Sequence, residues 1–315
     1  MGGRGEEARY RAEEVLRQEL MRMERIAAAV RELSDRHFNL LRAIERFSEK
    51  GMLVTARELS SITALSEEYV SRLLTDLHRY GLIWAPRGRP SGYILNYAGL
   101  DALALRTMAL RGILKSVGER AGVGKEADVY SAVTPEGLEV MVKFYRVGRQ
   151  SMTKYRRTRS VASEISFYLG ASKAFASGEI EALRRLAGTE VPVPQPVYRN
   201  RHAVVMQRIE GRVLAKVKSL RRPEVVMEEL LRAVSAAYRS GVVHCDLSAY
   251  NVMVDQEERV WVIDWPQWVK PDHPNARDYL RRDVRNVLDF FRRRFHVDVN
   301  PEDDAERVIS SILQV

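Results

Sequence analysis

The segment VVHCDLSAYNVMVDQEERVWVIDW, Val242 to Trp265, constrains this 315-residue chain more than any other stretch. It sets Asp246 and Asn251 in one polar loop and Asp264 at the end of a short apolar run. Asn251 and Asp264 offer two oxygen ligands, and such a pair suits Mg²⁺, which keeps several waters and holds phosphates. Asp246 is then free to orient or deprotonate a hydroxyl. Each of these residues alone reads as a turn former. In this order, after an apolar helix expected over Val225–Tyr238, they read as phosphoryl-transfer machinery. His244 is expected to pack beneath the loop. Cys245 is expected to be a small filler, because nothing cationic beside it favours a thiolate.

The upstream chain supplies the matching parts. SVGERAGVGKEADVYSAV, Ser116–Val133, is a Gly-rich turn between two β-prone runs. Gly122 and Gly124 let the backbone approach a ligand, and the turn Gly122–Val123–Gly124–Lys125–Glu126 exposes N–H groups to phosphate. Lys125 is followed by Glu126 rather than Ser or Thr, so this is not a Walker A loop. In LEVMVKFY, strand alternation puts Met141, Lys143 and Tyr145 on one side. Lys143 stands where nucleotide-binding folds place a phosphate-pairing amine. A buried lysine demands an acid. Glu179 lies at the edge of the stripe Ile180, Leu183, Leu186 and is the favoured partner, with Glu181 as the alternative. Val129, Met141, Met253 and Ile263 are expected to sandwich an adenine. HAVVMQRI reads as a buried strand entering a connector that ends at Gly211, with backbone groups suited to a nucleobase.

The first hundred residues follow a different pattern. Residues 1–32 read as a charged helical extension. Phe38, Leu41 and Ile44 recur at helical spacing. Thr55 and Glu58 form a capping box, and Ser66 caps a helix whose stripe is Val70, Leu73, Leu74 and Leu77. After Gly81, LIWA and YILNY flank PRGRPSG, a hairpin. Three helices and a basic hairpin are the plan of a winged helix-turn-helix, with Ser66–Tyr80 as recognition helix and Arg87 and Arg89 on the wing. Glu67, Glu68 and Asp76 make that helix mixed in charge, so sequence-specific reading is not expected. GLDALALRTMALRG, residues 99–112, reads as a connecting helix.

Bulk properties bound the rest. Lys+Arg number 51 against 42 Asp+Glu, a net charge of +9 rich in guanidinium, which points to an anionic partner. No apolar run approaches the roughly 18 residues of a spanning helix, so no membrane partner is expected. The charged start lacks a signal core and the single cysteine excludes an intrachain disulfide, which together imply a cytoplasmic location.

SVG…GVGKEADVY, VKFYRVGRQS, VPVPQPVYRNRHAVVM, HCDLSAYN, and IDWPQWV followed by HPNA and RRDV make the sequence resemble the RIO kinases, over Gly81 to about Phe295. The winged helix places it in their second subfamily, in its archaeal form. The resemblance implies an α+β chain: a winged-helix domain at 1–98, a connecting helix at 99–112, and a trimmed bilobal protein-kinase-like domain at 113–315. The lobes of the latter divide near residue 210. It implies an atypical serine/threonine kinase or ATPase using ATP and Mg²⁺, with Mn²⁺ as an alternative metal, in maturation of the small ribosomal subunit. Its partners would be the pre-ribosomal particle and its rRNA. Lys143 would bind phosphates with Glu179 as partner, Asp246 would be the catalytic aspartate, and Asn251 and Asp264 would hold Mg²⁺. Asp264 would also accept phosphate as an aspartyl-phosphate. Met206, Gln207 and Ile209 would form the hinge.

Ala127, Trp265 and Cys245 depart from the family's usual Ser, Phe and Gly. Only 51 residues follow Asp264, so no conventional peptide platform is expected. Residues 148–171, with Lys154, Arg156, Arg157 and Arg159, read as a cationic loop. Ser151, Ser160 and Ser163 in it are candidate autophosphorylation sites. Two other readings compete: a small-molecule phosphotransferase of the aminoglycoside or choline kind, and an RNA-tethered scaffold that holds ATP.

Overall fold

The computed structural model describes residues 23–85, 92–124, 126–148 and 161–314. Arg87, Arg89, Lys125, Ser151, Ser160 and the cluster Lys154 to Arg159 lie outside them. The described residues form two compact units. The first runs to Ala174 and includes Asn200–Ala203; the second holds Phe175–Arg199 and Val204 onward.

In the first unit, residues 23–32 are helical. Helix α1, Asp35–Ser48, buries Phe38, Leu41 and Ile44 as its spacing requires. Helix α2, Ala56–Thr63, opens with the expected reciprocal cap. The Glu58 amide donates to Thr55 Oγ1 at 3.2 Å, and the Thr55 amide to Glu58 Oε2 at 2.8 Å. Helix α3, Glu67–Arg79, is capped by Ser66 and buries Val70, Leu73, Leu74 and Leu77. Gly81, at φ 71°, turns the chain out of it. Strands β1, Ile83–Trp84, and β2, Ile94–Leu95, then pair as the wing stem, and Val54 bridges Tyr93 beside them.

Helix α4, Tyr97–Leu110, starts two residues before the expected connector, because Asn96 caps it by accepting the Gly99 amide at 3.0 Å. It is not a solvated link. Leu100 to Leu105 are all buried, Asp101 included, so it is a core helix. A Cβ on Gly99 would stand 2.1 Å from the Leu82 carbonyl oxygen, which is why glycine is required there. Strands β3, Ser116–Val123, β4, Ala127–Val133, and β5, Glu139–Tyr145, follow as an antiparallel meander. Helix α5, Val161–Leu186, then contributes its start to the first unit and its remainder to the second. Its start corrects the expected loop. Ile165 and Leu169 are buried one turn apart, so helical periodicity already holds from Val161, behind the basic run that suggested a loop.

Apart from Asn200 and Ala203, the second unit also holds β6, Pro196–Asn200, and the buried strand β7, Ala203–Gln207. Strand β8, Arg212–Val213, pairs with β9, Val252–Val254, which pairs with β10, Val260–Val262. Helix α6, Pro223–Arg239, carries the expected apolar face, with proline in its first turn. Helices α7, Ala276–Phe295, and α8, Pro301–Leu313, complete the unit. No helix among the described residues is long and apolar enough to cross a membrane.

Candidate active site

The candidate residues fall into both units. In the first, strand register does the positioning. Gly122 is paired with Val129, and Val129 with Lys143, so the three stand in a row across β3, β4 and β5. Directly paired residues share a face of a sheet, and Met141 shares it too, two positions from Lys143. Lys143 is only 8% exposed and its Nζ lies 4.8 Å from the Tyr145 ring centroid, as the alternation predicts. The Gly-rich turn is closed by the Gly124 amide donating to the Ala127 carbonyl at 2.8 Å. The Glu126 carbonyl accepts from the Arg146 amide. Val123 ends β3 opposite Asp128.

In the second unit, two hydrogen bonds tie the polar loop to the chain just before Asp264. Asn251 Nδ2 donates to the Asp246 carbonyl at 2.8 Å, and the Ile263 amide donates to the Asn251 carbonyl at 2.9 Å. Asp246, Asn251 and Asp264 are thereby held on adjoining backbone. The Asp246 residue is exposed, as a group that must reach a substrate requires. His244 does pack beneath the loop, 4.4 Å from the Trp265 ring. Its Nε2 faces the Ile263 carbonyl at 3.1 Å and its Nδ1 faces the Asp246 amide at 3.3 Å.

Asp264 adopts φ 70°, the left-handed region, so the chain turns sharply at the proposed metal ligand. The next amide, that of Trp265, donates to Glu179 Oε2 at 3.1 Å. Glu179 is 1% exposed, whereas Glu181 faces out and pairs with Arg185 at 2.9 Å. Burial thus separates the two glutamates in the direction the helical stripe indicated. Close packing supports the turn: a Cβ on Gly178 would meet the Pro266 carbonyl oxygen at 2.4 Å, and Trp268 Nε1 donates to the Gly178 carbonyl at 3.0 Å.

The residues expected around a base are placed as follows. Met253 is half-buried in β9 opposite Trp261, and Ile263 is half-buried after β10. Met206 is buried in β7. Gln207 Oε1 accepts the Gln195 amide at 3.2 Å, and Ile209 follows, half-buried, after β7.

Sequence reasoning missed the residue that anchors the loop. Asp283, in α7, is 1% exposed and accepts the Cys245 amide at 2.8 Å and the Leu247 amide at 2.9 Å. Asn286 Nδ2 donates to the Leu247 carbonyl at 3.0 Å, and Arg282 donates to the Cys245 carbonyl. Burial pushes the Asp283 carboxyl up, while His244 and the two amides pull it back. The available signal was an acid standing on the apolar stripe of a helix, among Leu280, Val284 and Val287. Cys245 itself sits at φ 70°, a conformation that favours glycine. Burial and the Asp283 charge push its thiol up to about 11, so it is not a nucleophile at neutral pH.

Among the described residues, no three His, Cys, Asp or Glu side chains gather to enclose a metal. One asparagine and one aspartate on adjoining backbone fit instead a hard cation that takes its remaining oxygens from phosphate and water, the habit of Mg²⁺.

Residues 128–303 match the family model described as the RIO domain, and residues 30–111 match that described as Rio2, N-terminal. The chain is 36% identical over 281 residues to the serine/threonine-protein kinase RIO2 of Caenorhabditis elegans, covering 87% of this chain and 52% of that protein. It is 35% identical over 230 residues to the RIO-type serine/threonine-protein kinase Rio2 of Methanocaldococcus jannaschii, covering 70% and 84%. It therefore spans about half the length of the worm relative and most of the archaeal one. A solved structure of the Rio2 kinase–ADP/Mg²⁺–phosphoaspartate complex from Chaetomium thermophilum aligns with TM-score 0.76 and 29% identity, over 91% of this chain and 92% of that one. With both domain models matched in order along one chain, it belongs to the RIO family, in its Rio2 branch.

Proposed function

We propose that this chain is an ATP- and Mg²⁺-dependent atypical serine/threonine kinase and ATPase that acts in maturation of the small ribosomal subunit. The observation that carries the catalytic part is the pair of hydrogen bonds that ties Asn251 to the Asp246 carbonyl and to Ile263, the residue before Asp264. It keeps the exposed Asp246 on backbone adjoining Asn251 and Asp264, which supports a phosphoryl-transfer reading.

In this reading the Gly122–Glu126 turn and Lys143 bind the phosphates, Glu179 pairs with Lys143, and Val129, Met141, Met253 and Ile263 enclose the base. Met206, Gln207 and Ile209 form the hinge against it. Asn251 and Asp264 hold Mg²⁺, or Mn²⁺, which when bound neutralises phosphate charge. Asp246 orients the attacking hydroxyl of a Ser or Thr, or a water, and takes up its proton. In the ATPase cycle an Asp264 oxygen attacks the γ-phosphorus and ADP leaves. Water then attacks the acyl phosphate, releasing phosphate and restoring the carboxylate. The solved complex of the fungal relative, with its phosphoaspartate, supports that route by analogy.

An RNA partner is supported by the N-terminal domain. Arg36, Arg42 and Arg46 line a groove of about 440 Å³ along α1, with no acidic residue among the described residues of its walls. Its other walls are Ile62, Thr63 and Leu65. The recognition helix α3, in contrast, ties its own basic residues to Glu68 and Asp76. The wing arginines Arg87 and Arg89 lie outside the described residues, and a cytoplasmic site of action remains part of the proposal.

The test is incubation of the full chain with γ-labelled ATP and Mg²⁺, with acid and hydroxylamine treatment of the product. An acyl phosphate lost in Asp264→Asn, and turnover lost in Asp246→Ala with ATP still bound, is the expected result. Full turnover by Asp246→Ala overturns the assignment.

A further inference from the structure

The first unit contains a buried charge cluster that phosphoryl transfer does not itself require. Arg146, just after β5, is 1% exposed. Its guanidinium donates to both oxygens of Asp101, at 3.0 and 2.9 Å, and through Nε to Asp128 at 2.7 Å. Asp101 also meets His202 Nε2 at 2.7 Å. The rings of Tyr97 and Phe144 lie 5.4 and 5.7 Å from the Arg146 guanidinium carbon. Desolvating so many charges is costly, and an ion cluster of this kind is weak evidence for stability alone.

The cluster's placement suggests another purpose. Asp101 belongs to α4, inside the stretch that matches the Rio2 N-terminal model, whereas Asp128 and Arg146 belong to the RIO domain. Arg146 touches the Gly-rich hairpin twice, through its amide to the Glu126 carbonyl and through its side chain to Asp128. Asp128 pairs in register with Val123 on one side and Phe144 on the other, at the base of the turn. Lys143, in β5, lies three residues before Arg146. A bidentate carboxylate fixes the plane of a guanidinium, which fixes in turn what its third edge can hold.

We propose that Asp101 is a positioning residue for nucleotide: through Arg146 it sets the Gly122–Glu126 turn, so that the N-terminal domain is a working part of the ATP-binding apparatus. This rests on the reading of that turn and Lys143 as phosphate-binding. Asp101→Asn removes the charge and keeps the shape; Asp128→Asn takes the charge out of the hairpin contact and spares the Asp101–Arg146 pair.

The experiment is titration of the full-length protein with a fluorescent ATP analogue and Mg²⁺, alongside thermal melting and the rate of phosphate release. Both variants should weaken analogue binding about tenfold or more, with the rate at saturation changed little. Leu41→Ala, in the core of α1 and outside the cluster, should lower the melting temperature without moving the dissociation constant. Unchanged affinity in a folded Asp101→Asn or Asp128→Asn protein overturns the inference, and so does an equal loss in Leu41→Ala. No binding by the parent protein would instead refute the ATP reading itself.

Discussion

Asp283 and Cys245 meet where a helix carboxylate accepts a loop amide at 2.8 Å, and the second oxygen of the same carboxylate takes the Leu247 amide. The two bonds bracket Asp246, so the backbone on either side of the proposed catalytic group is fixed from outside the loop. Asp283→Ala leaves two buried N–H groups without an acceptor, at a cost of about 2–5 kcal/mol. Phosphate release should fall to background even at temperatures where circular dichroism shows a folded chain. Retention of normal turnover would show that the loop holds its shape unaided.

Glu179 holds the Trp265 amide, one residue beyond the left-handed Asp264. Glu179→Ala should therefore impair Mg²⁺-dependent nucleotide binding as well as turnover. A Mg²⁺ titration of analogue binding would show the midpoint rising. Glu179→Gln, which keeps an acceptor oxygen for that amide, should recover part of the Mg²⁺ response.

Cys245 occupies a conformation that costs a side-chain-bearing residue about 1 kcal/mol. Cys245→Gly removes that strain along with a small buried thiol, so chemical denaturation should show stability within about 1 kcal/mol of the parent. In the parent, burial keeps the thiol protonated, so a disulfide reagent at pH 8 should label Cys245 only as fast as the protein opens.

Glu45 in α1 accepts from Lys173 at 2.8 Å and from Arg201 at 2.9 and 2.8 Å. Burial raises its pKa, but the two cations outweigh it and the carboxyl ends below its ordinary value. A depressed carboxylate stabilises the fold above its unfolded pKa, and that contribution fades as pH falls through the folded value. Glu45→Gln should be less stable than the parent by about 2 kcal/mol at pH 7. The gap should close below about pH 4, as followed by melting temperature. A gap independent of pH would assign the loss to packing.

The groove arginines have no carboxylate partner among the described residues, although Arg42 donates to Asn39 and Arg36 lies over Tyr69. If they contact phosphate, replacing Arg42 and Arg46 with alanine should flatten the salt dependence of single-stranded RNA binding. Each lost contact should reduce the log–log slope by about 0.7.

The sequence showed these parts unequally, for physical reasons. The burial of Lys143 and Glu179 was legible because strand and helix periodicities fix which way a side chain points, whereas the Asp246–Asn251–Asp264 order was read from residue types and spacing alone. The caps at Thr55 and Ser66 were legible because they are local. Asp283 and Asp101 were not, since an acid inside an apolar stripe acquires meaning only from the distant amide or guanidinium it meets. The start of α5 was hidden by an arginine-rich run that outweighed Ile165 and Leu169. The left-handed Cys245 showed only as a departure from the family's glycine.

Arg146 has a last consequence. A fragment beginning after α4 would retain the arginine and Asp128 but discard Asp101, leaving the guanidinium without its bidentate partner. An excised catalytic half is thus a different electrostatic object from the same residues in the intact chain. Inheritance, truncation or domain exchange must carry the helix and the strands together.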